Sequence, residues 1–237
     1  MKYLSILLIW VAFSLSLSAQ PIDPSKYSAP VKVACIGNSI TYGHGIADRT
    51  HDSYPSQLGR MLGEKWIVRN FGVSGRTMLK KGDYPYWNEE AYFHAKSFLP
   101  DVVIIKLGTN DTKPQNWKFS AEFSADYQAM ITELKKLASH PRIYLCKPVP
   151  AYGNRWDIND SIIVHGVIPA VEKLAKKNKL RVIDLYAELS NKASLFPDQI
   201  HPNVEGAGLI AKTIYKALTG KDAELISTQY SGKMSER

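Results

Sequence analysis

Asp198 stands three residues before His201, and Pro202 follows it. That spacing suits a turn in which the carboxylate reaches the imidazole and orients it as a base. A base held this way activates a hydroxyl nucleophile. Ser39 is the hydroxyl that the sequence offers. It closes Gly37-Asn38-Ser39, where Gly37 lets the backbone turn tightly. Acyl transfer also needs donors aimed at a developing oxyanion. The amide of Ser39, the amide of Gly75 in Gly72-Val73-Ser74-Gly75 and the side-chain NH₂ of Asn110 in Gly108-Thr109-Asn110-Asp111 are the candidates. Together these residue types support ester hydrolysis through an acyl-serine, with no metal and no cofactor.

Taken singly, each residue has a plainer reading. Ser39 reads as a helix N-cap, Gly75 as a turn glycine, Asn110-Asp111 as a polar turn and His201 as a surface loop residue. The Gly-bearing segments are not phosphate cradles, because no Gly-Lys-Ser/Thr follows them and GxGxxG is absent. The signal lies in the order of the four segments and in where they open.

Three of the segments open where a short, β-branched apolar run ends. The runs are Val31–Ile36, Trp66–Phe71, Val102–Leu107, Arg142–Cys146 and Leu180–Leu185, and they read as buried parallel strands. Helical patterns lie between them. One starts at Ser120, expected as its N-cap, with Phe123, Tyr127, Met130, Ile131, Leu134 and Leu137 in one stripe. A second covers roughly 160–178, and a third follows Asn203. Strands alternating with helices predict an α/β fold with a central parallel sheet covered on both faces. Ligands bind at the carboxyl ends of such strands, which is where the polar segments lie.

Composition agrees with a globular enzyme. The chain has 237 residues, 45% hydrophobic and 22% charged, which excludes a disordered protein. The formal charge of +8 invites a nucleic-acid reading, but the Lys and Arg are scattered over predicted outer helix faces, so no nucleic-acid partner is expected. A basic surface would favour acidic substrates. Cys35 and Cys146 fall inside predicted strands and read as buried small hydrophobes. His44, His51, His94, His140 and His165 show no ligand spacing and read as surface or supporting residues.

Residues 1–19 have a positive start, an apolar stretch and Ser18-Ala19, the pattern of a secretory signal peptide. The expected organisation is therefore a signal peptide at 1–19, an N-terminal extension at 20–30, one catalytic domain at 31–220 and a polar tail at 221–237. Export to the periplasm or beyond follows, with no membrane association after cleavage. The sequence carries no sign of oligomeric state.

The blocks GNSIT, NFGVSG, LGTND and DQIH resemble the four signature blocks of the GDSL/SGNH hydrolases, over roughly Val31 to Leu218. The resemblance implies a flavodoxin-like three-layer α/β/α sandwich on a five-stranded parallel sheet. It places the family's nucleophile on Ser39, its acid and base on Asp198 and His201, and its oxyanion hole on Ser39, Gly75 and Asn110. Asn38 departs from the Asp found in many members, at a position outside the triad. The segments LGTNDTKPQNW and LKKGDYPYWN are similar to exported carbohydrate O-acetylesterases, of the sialate O-acetylesterase and acetylxylan esterase type. An acetylated carbohydrate is thus the expected substrate. Tyr86, Trp87, Trp117 and Trp156 stand in loops leaving the predicted catalytic edge, where aromatic rings would stack on sugar C–H faces. The plainer alternative is that these rings pack the loops down. Other expectations stay open: a lysophospholipase or thioesterase of the same family, or an inactive glycan-binding protein.

Overall fold

A computed structural model describes residues 20–223; the signal-peptide expectation at 1–19 and most of the polar tail lie outside them. Five strands form one parallel sheet: β1 (Val31–Gly37), β2 (Trp66–Gly72), β3 (Val102–Lys106), β4 (Arg142–Lys147) and β5 (Arg181–Asp184), in the order β2-β1-β3-β4-β5. Every strand lies within a residue or two of an expected apolar run.

Alternation along the strands explains the layers. Val33, Cys35, Ile104 and Cys146 face one side, against Tyr54 and Leu58 of a helix at Tyr54–Leu62 and Ile210 and Ile214 of the helix Val204–Thr219. Ala34, Ile36, Val103, Ile105 and Leu145 face the other, against the helices Glu90–Ser97, Ser120–Lys135 and Ile168–Asn178. All five residues of β3 are buried, as a central strand covered on both faces requires. This is a three-layer α/β/α sandwich. From β1 the chain goes to β2 on one side and later to β3 on the other, so the strand order switches direction beside β1. Carboxyl ends at such a point diverge and open a crevice.

Two helix expectations need correction. Phe119, not Ser120, occupies the capping position of Ser120–Lys135, and no side chain caps it. The short helix Pro114–Trp117 runs almost directly into it, and the backbone supplies the first bonds: Phe119 N–H to Asn116 O at 3.0 Å and Glu122 N–H to Phe119 O at 2.9 Å. The pattern over 160–178 is not one regular α-helix. It divides into Asp160–Ile162, a wider π segment Ile163–Val167, and Ile168–Asn178. Pro169 is the physical reason, because its ring has no N–H to donate and crowds the carbonyl four residues back.

The N-terminal extension docks on the domain: Ile22 is buried, and its amide donates to Leu218 O at 2.7 Å. Cys35 and Cys146 are free and fully buried on one sheet face. Burial pushes the Cys146 thiol up to about 12 and raises Cys35 as well. Neither thiol is set up as a nucleophile.

Candidate active site

The carboxyl end of β1 passes straight into a single helical turn, Ser39–Tyr42. Asn38 caps it by accepting a hydrogen bond from the Ile40 amide at 3.2 Å. Ser39 is therefore the first residue of the turn and not its cap. The turn can sit on the strand ends only because β2 finishes in glycine. A β-carbon at Gly72 would lie 2.2 Å from the Tyr42 nitrogen.

His201 arrives from the far end of the chain. The turn at 198–201 is tight because Gln199 takes a left-handed conformation, φ 71°. Asp198 Oδ1 accepts from the amides of Ile200 at 3.0 Å and His201 at 2.7 Å, which fixes the carboxylate. Its other oxygen lies 2.7 Å from His201 Nδ1, and His201 Nε2 lies 2.8 Å from Ser39 Oγ across 162 residues of sequence. Asn203 then caps the following helix by accepting from the Gly206 amide at 2.9 Å.

The electrostatics suit a proton relay. Burial pushes the His201 imidazole below its ordinary value; Asp198 pulls the other way, and His44 and Lys106 add to the lowering. His201 is thus neutral at neutral pH and able to accept a proton. Burial of Asp198 opposes its ionisation, but the His201 amide and ring and the Ile200 amide outweigh it and hold the carboxyl below the usual range. The acid stays charged.

The β2 and β3 loops meet beside Ser39. Parallel pairing places Gly37 opposite Gly72 and Lys106, so all three strand ends are level. Gly75 has φ 81°, and a β-carbon there would meet nothing within 4 Å. Its requirement is conformational, a left-handed residue facing open space. Asn110 is buried, and its Nδ2 donates to Arg76 O at 3.1 Å, tying this amide to the backbone beside Gly75.

Two buried residues near these strand ends escaped the sequence analysis. Asp111 accepts from the amides of Met78 at 3.0 Å and Leu79 at 2.7 Å, so the loop after β3 pins the loop after β2. Burial raises its carboxyl to about 6 against those bonds. The Asn-Asp pair was the available signal, but the sequence reading gave a role to Asn110 alone. Lys106 is fully buried with no hydrogen-bond partner for Nζ among the described residues, and burial lowers it to about 7. Its position inside an apolar run had concealed it.

The structure separates the four aromatic candidates. Tyr86 has no exposed surface, packs on Tyr92 and donates its hydroxyl to Phe71 O. It is a core residue, and the expectation that it meets substrate is corrected. Trp87 is half-buried against Tyr92 and donates Nε1–H to Met78 O at 2.8 Å. Trp117 is half-buried against Phe123 and Gly166, so close that a β-carbon on Gly166 would lie 2.3 Å from its ring. Both pack their loops onto the domain. Trp156 differs: it is 44% exposed, and its ring meets the His201 ring edge-on at 5.2 Å. Its φ of 55° is rare for a bulky side chain and holds the indole over the site. His44, read as a surface or supporting residue, is exposed and lies 4.4 Å from the His201 ring, centroid to centroid.

Residues 35–209 match the GDSL-like Lipase/Acylhydrolase family. The chain is 45% identical over 213 residues to an acetylxylan esterase of Xylanibacter ruminicola, an alignment covering 82% of this chain and 44% of that protein. The chain thus spans less than half the length of that relative. Among solved structures, a carbohydrate acetylesterase from Sinorhizobium meliloti has a TM-score of 0.64 at 18% identity, covering 78% of this chain and 97% of that one. A catalytic mutant of an acetylxylan esterase from Geobacillus stearothermophilus has a TM-score of 0.61 at 24% identity, covering 81% and 96%. These two likenesses establish the fold, the five-stranded arrangement expected from the sequence.

Proposed function

The chain belongs to the GDSL-like lipase/acylhydrolase family, and on that premise we propose that it is a serine esterase that removes O-acetyl groups from carbohydrates. The observation that carries the reading is the unbroken relay from Ser39 Oγ through His201 to Asp198, at 2.8 and 2.7 Å. Similarity to the Xylanibacter ruminicola acetylxylan esterase supports acetylated carbohydrate as the substrate class. Export to the periplasm or the extracellular space goes with this reading and is supported by the leader pattern of residues 1–19 alone.

In the proposed reaction, His201 Nε2 takes the Ser39 proton as Oγ attacks the acetyl carbonyl carbon. The amides of Ser39 and Gly75 and the Asn110 side chain donate to the resulting oxyanion. His201 then returns the proton to the leaving sugar oxygen, and the carbon–oxygen bond to the sugar breaks. Water, deprotonated by the same nitrogen, attacks the acetyl-serine; acetate leaves and Ser39 regains its proton. Asp198 keeps the Nδ1 proton in place and balances the imidazolium. Measuring acetate release from acetylated xylan and other acetylated glycans, beside rates on acetyl and long-chain acyl esters of one leaving group, tests the proposal. Faster turnover of long-chain esters would move the chain to the lipid acylhydrolases.

Asn110→Ala is expected to lower kcat by roughly 10²–10³ with a smaller change in KM, because its donor acts mainly on the transition state. A raised KM with kcat intact would make Asn110 a substrate-binding residue.

Trp156 is the one of the four aromatic candidates left free for a sugar ring. Trp156→Ala is expected to reduce kcat/KM on an acetylated oligosaccharide about 10-fold, equivalent to ~1.4 kcal/mol, and to affect a small acetate ester far less. Truncating Trp87 or Trp117 should instead lower both activities together with the melting temperature, since those rings are packing. Equal losses on both substrates in Trp156→Ala would remove it as a sugar platform.

A further inference from the structure

His44 has no role in the relay, yet the fold stacks it on the base. Its ring lies 4.4 Å from the His201 ring at a tilt of 49°, and 6.3 Å from Trp156. It is exposed and makes no side-chain hydrogen bond among the described residues. One ligand atom each from His44, His201 and Asp198 lies within 4.8 Å of the other two. The sequence hid this set, because 157 positions separate the two histidines.

We infer that His44, His201 and Asp198 form a binding site for a borderline transition ion such as Zn²⁺, and that filling it reversibly switches the enzyme off. Zinc takes imidazole nitrogen at about 2.0–2.1 Å and carboxylate oxygen at about 2.0–2.2 Å in tetrahedral geometry, which sets ligand atoms about 3.3 Å apart. Reaching that spacing from 4.8 Å asks for a closure of at most about 1.5 Å. His44 is the ligand placed to supply it, because it is exposed and no side-chain hydrogen bond holds its ring among the described residues. Imidazole favours zinc and copper, whereas magnesium and calcium prefer oxygen ligands throughout. Two imidazoles and one carboxylate therefore select for the transition ion.

The switching does not depend on which His201 nitrogen binds. Nε2 is the atom that faces Ser39 Oγ, and Nδ1 is the atom that faces Asp198. Coordination through Nε2 occupies the lone pair that must take the serine proton. Coordination through Nδ1 displaces the proton that Asp198 holds there and leaves Nε2 carrying the proton instead of accepting one. Either way the base is lost until the ion leaves. This second half rests on the reading of His201 as the catalytic base; the binding half does not.

The test uses the untagged protein and zinc chloride. Calorimetric titration of Ser39→Ala should show one ion per chain, with calcium giving no heat. Adding His44→Gln should weaken zinc binding at least about tenfold, the loss that even an outer-shell partner's removal typically causes. His51→Gln serves as the control. His51 is exposed and pairs with Asp52 at 2.7 Å, and its loss should leave the affinity unchanged. Circular dichroism and melting temperature confirm that the variants are folded. In the wild type, zinc should inhibit hydrolysis of a small acetate ester and a chelator should restore it, with His44→Gln at least tenfold less sensitive. Zinc binding unaltered by His44→Gln, or several weak ions per chain, would overturn the site. One His44-dependent ion with no inhibition of an active enzyme would overturn the switch. A wild type without esterase activity would count against the proposed reaction, while calorimetry would still decide the site.

Discussion

Ser39→Ala is expected to abolish nearly all turnover and leave the fold intact. The variant removes the only atom proposed to form the acetyl-enzyme, so kcat on an acetate ester should fall roughly 10⁴–10⁶-fold, the range found when a triad nucleophile is deleted. The residual rate should come from the oxyanion donors and binding. Stability should hardly change. Among the described residues Ser39 Oγ is engaged by His201 Nε2 alone, at 2.8 Å, and a hydrogen bond of this kind contributes about 1 kcal/mol net. That corresponds to about 2–4 °C in melting temperature for a domain of this size. The contrast between the two readouts makes the test informative. A large loss of both would indicate a folding defect, and near-normal turnover would remove Ser39 from the chemistry.

Asp198→Asn is expected to have the next largest effect, about 10⁴ in kcat. An asparagine Oδ1 can still accept from the amides of Ile200 and His201, so the turn should survive. The difference falls on the other arm. Where Asp198 Oδ2 now meets His201 Nδ1 at 2.7 Å, an NH₂ would donate. Nδ1 must then accept, the ring proton moves to Nε2, and Nε2 can no longer deprotonate Ser39. The pH profile provides a second check. Because burial holds His201 below its ordinary value, wild-type kcat/KM should be full at neutral pH and fall only as the pH drops beneath the ordinary histidine range. Asp198 raises the His201 pKa, so removing its charge should shift the acid limb of the residual activity to still lower pH. A loss below about tenfold, or an acid limb that moves upward, would show that Asp198 neither orients nor charges against His201.

The strands were legible because each β-branched run is long enough to bury and is followed by polar or Gly-bearing residues. Burial on both faces of a sheet leaves a mark within five or six consecutive residues, as β3 shows. The Asp198–His201 contact was legible for the same reason of locality: three residues span it. Helix starts were less so. Ser120 has the right chemistry for a cap, but the preceding turn at Pro114–Trp117 already satisfies the backbone there. Pro169 interrupts a stripe whose periodicity looks continuous.

The four aromatic residues mark where sequence reasoning stopped. Tyr86 and Trp156 stand in loops of similar composition, yet one has no exposed surface and the other overhangs His201. What separates them is anchoring by distant residues. Asp111 grips the amides of Met78 and Leu79, and Asn116 accepts from the Asp83 amide at 2.8 Å, so the 78–87 loop is drawn down, with Tyr86 buried and Trp87 half-buried while Tyr84 stays exposed. Among the described residues no distant side chain holds the 154–157 backbone in this way, and left-handed backbone at Trp156 and Asp157 lifts it over the site.

By itself, then, the sequence determined the layers of the fold, the strand ends at which chemistry must lie, and the pairing of Asp198 with His201. Each of these is written in residues near one another along the chain. Only the tertiary structure decided that His201 meets Ser39, that His44 lies against His201 and edge-on to Trp156, that Lys106 is buried with no hydrogen-bond partner for Nζ among the described residues, and which indole remains exposed beside His201. Those outcomes depend on which side chains from different strands and loops arrive at the same place. Packing of the whole sheet and its helices sets that convergence, and no local spacing encodes it.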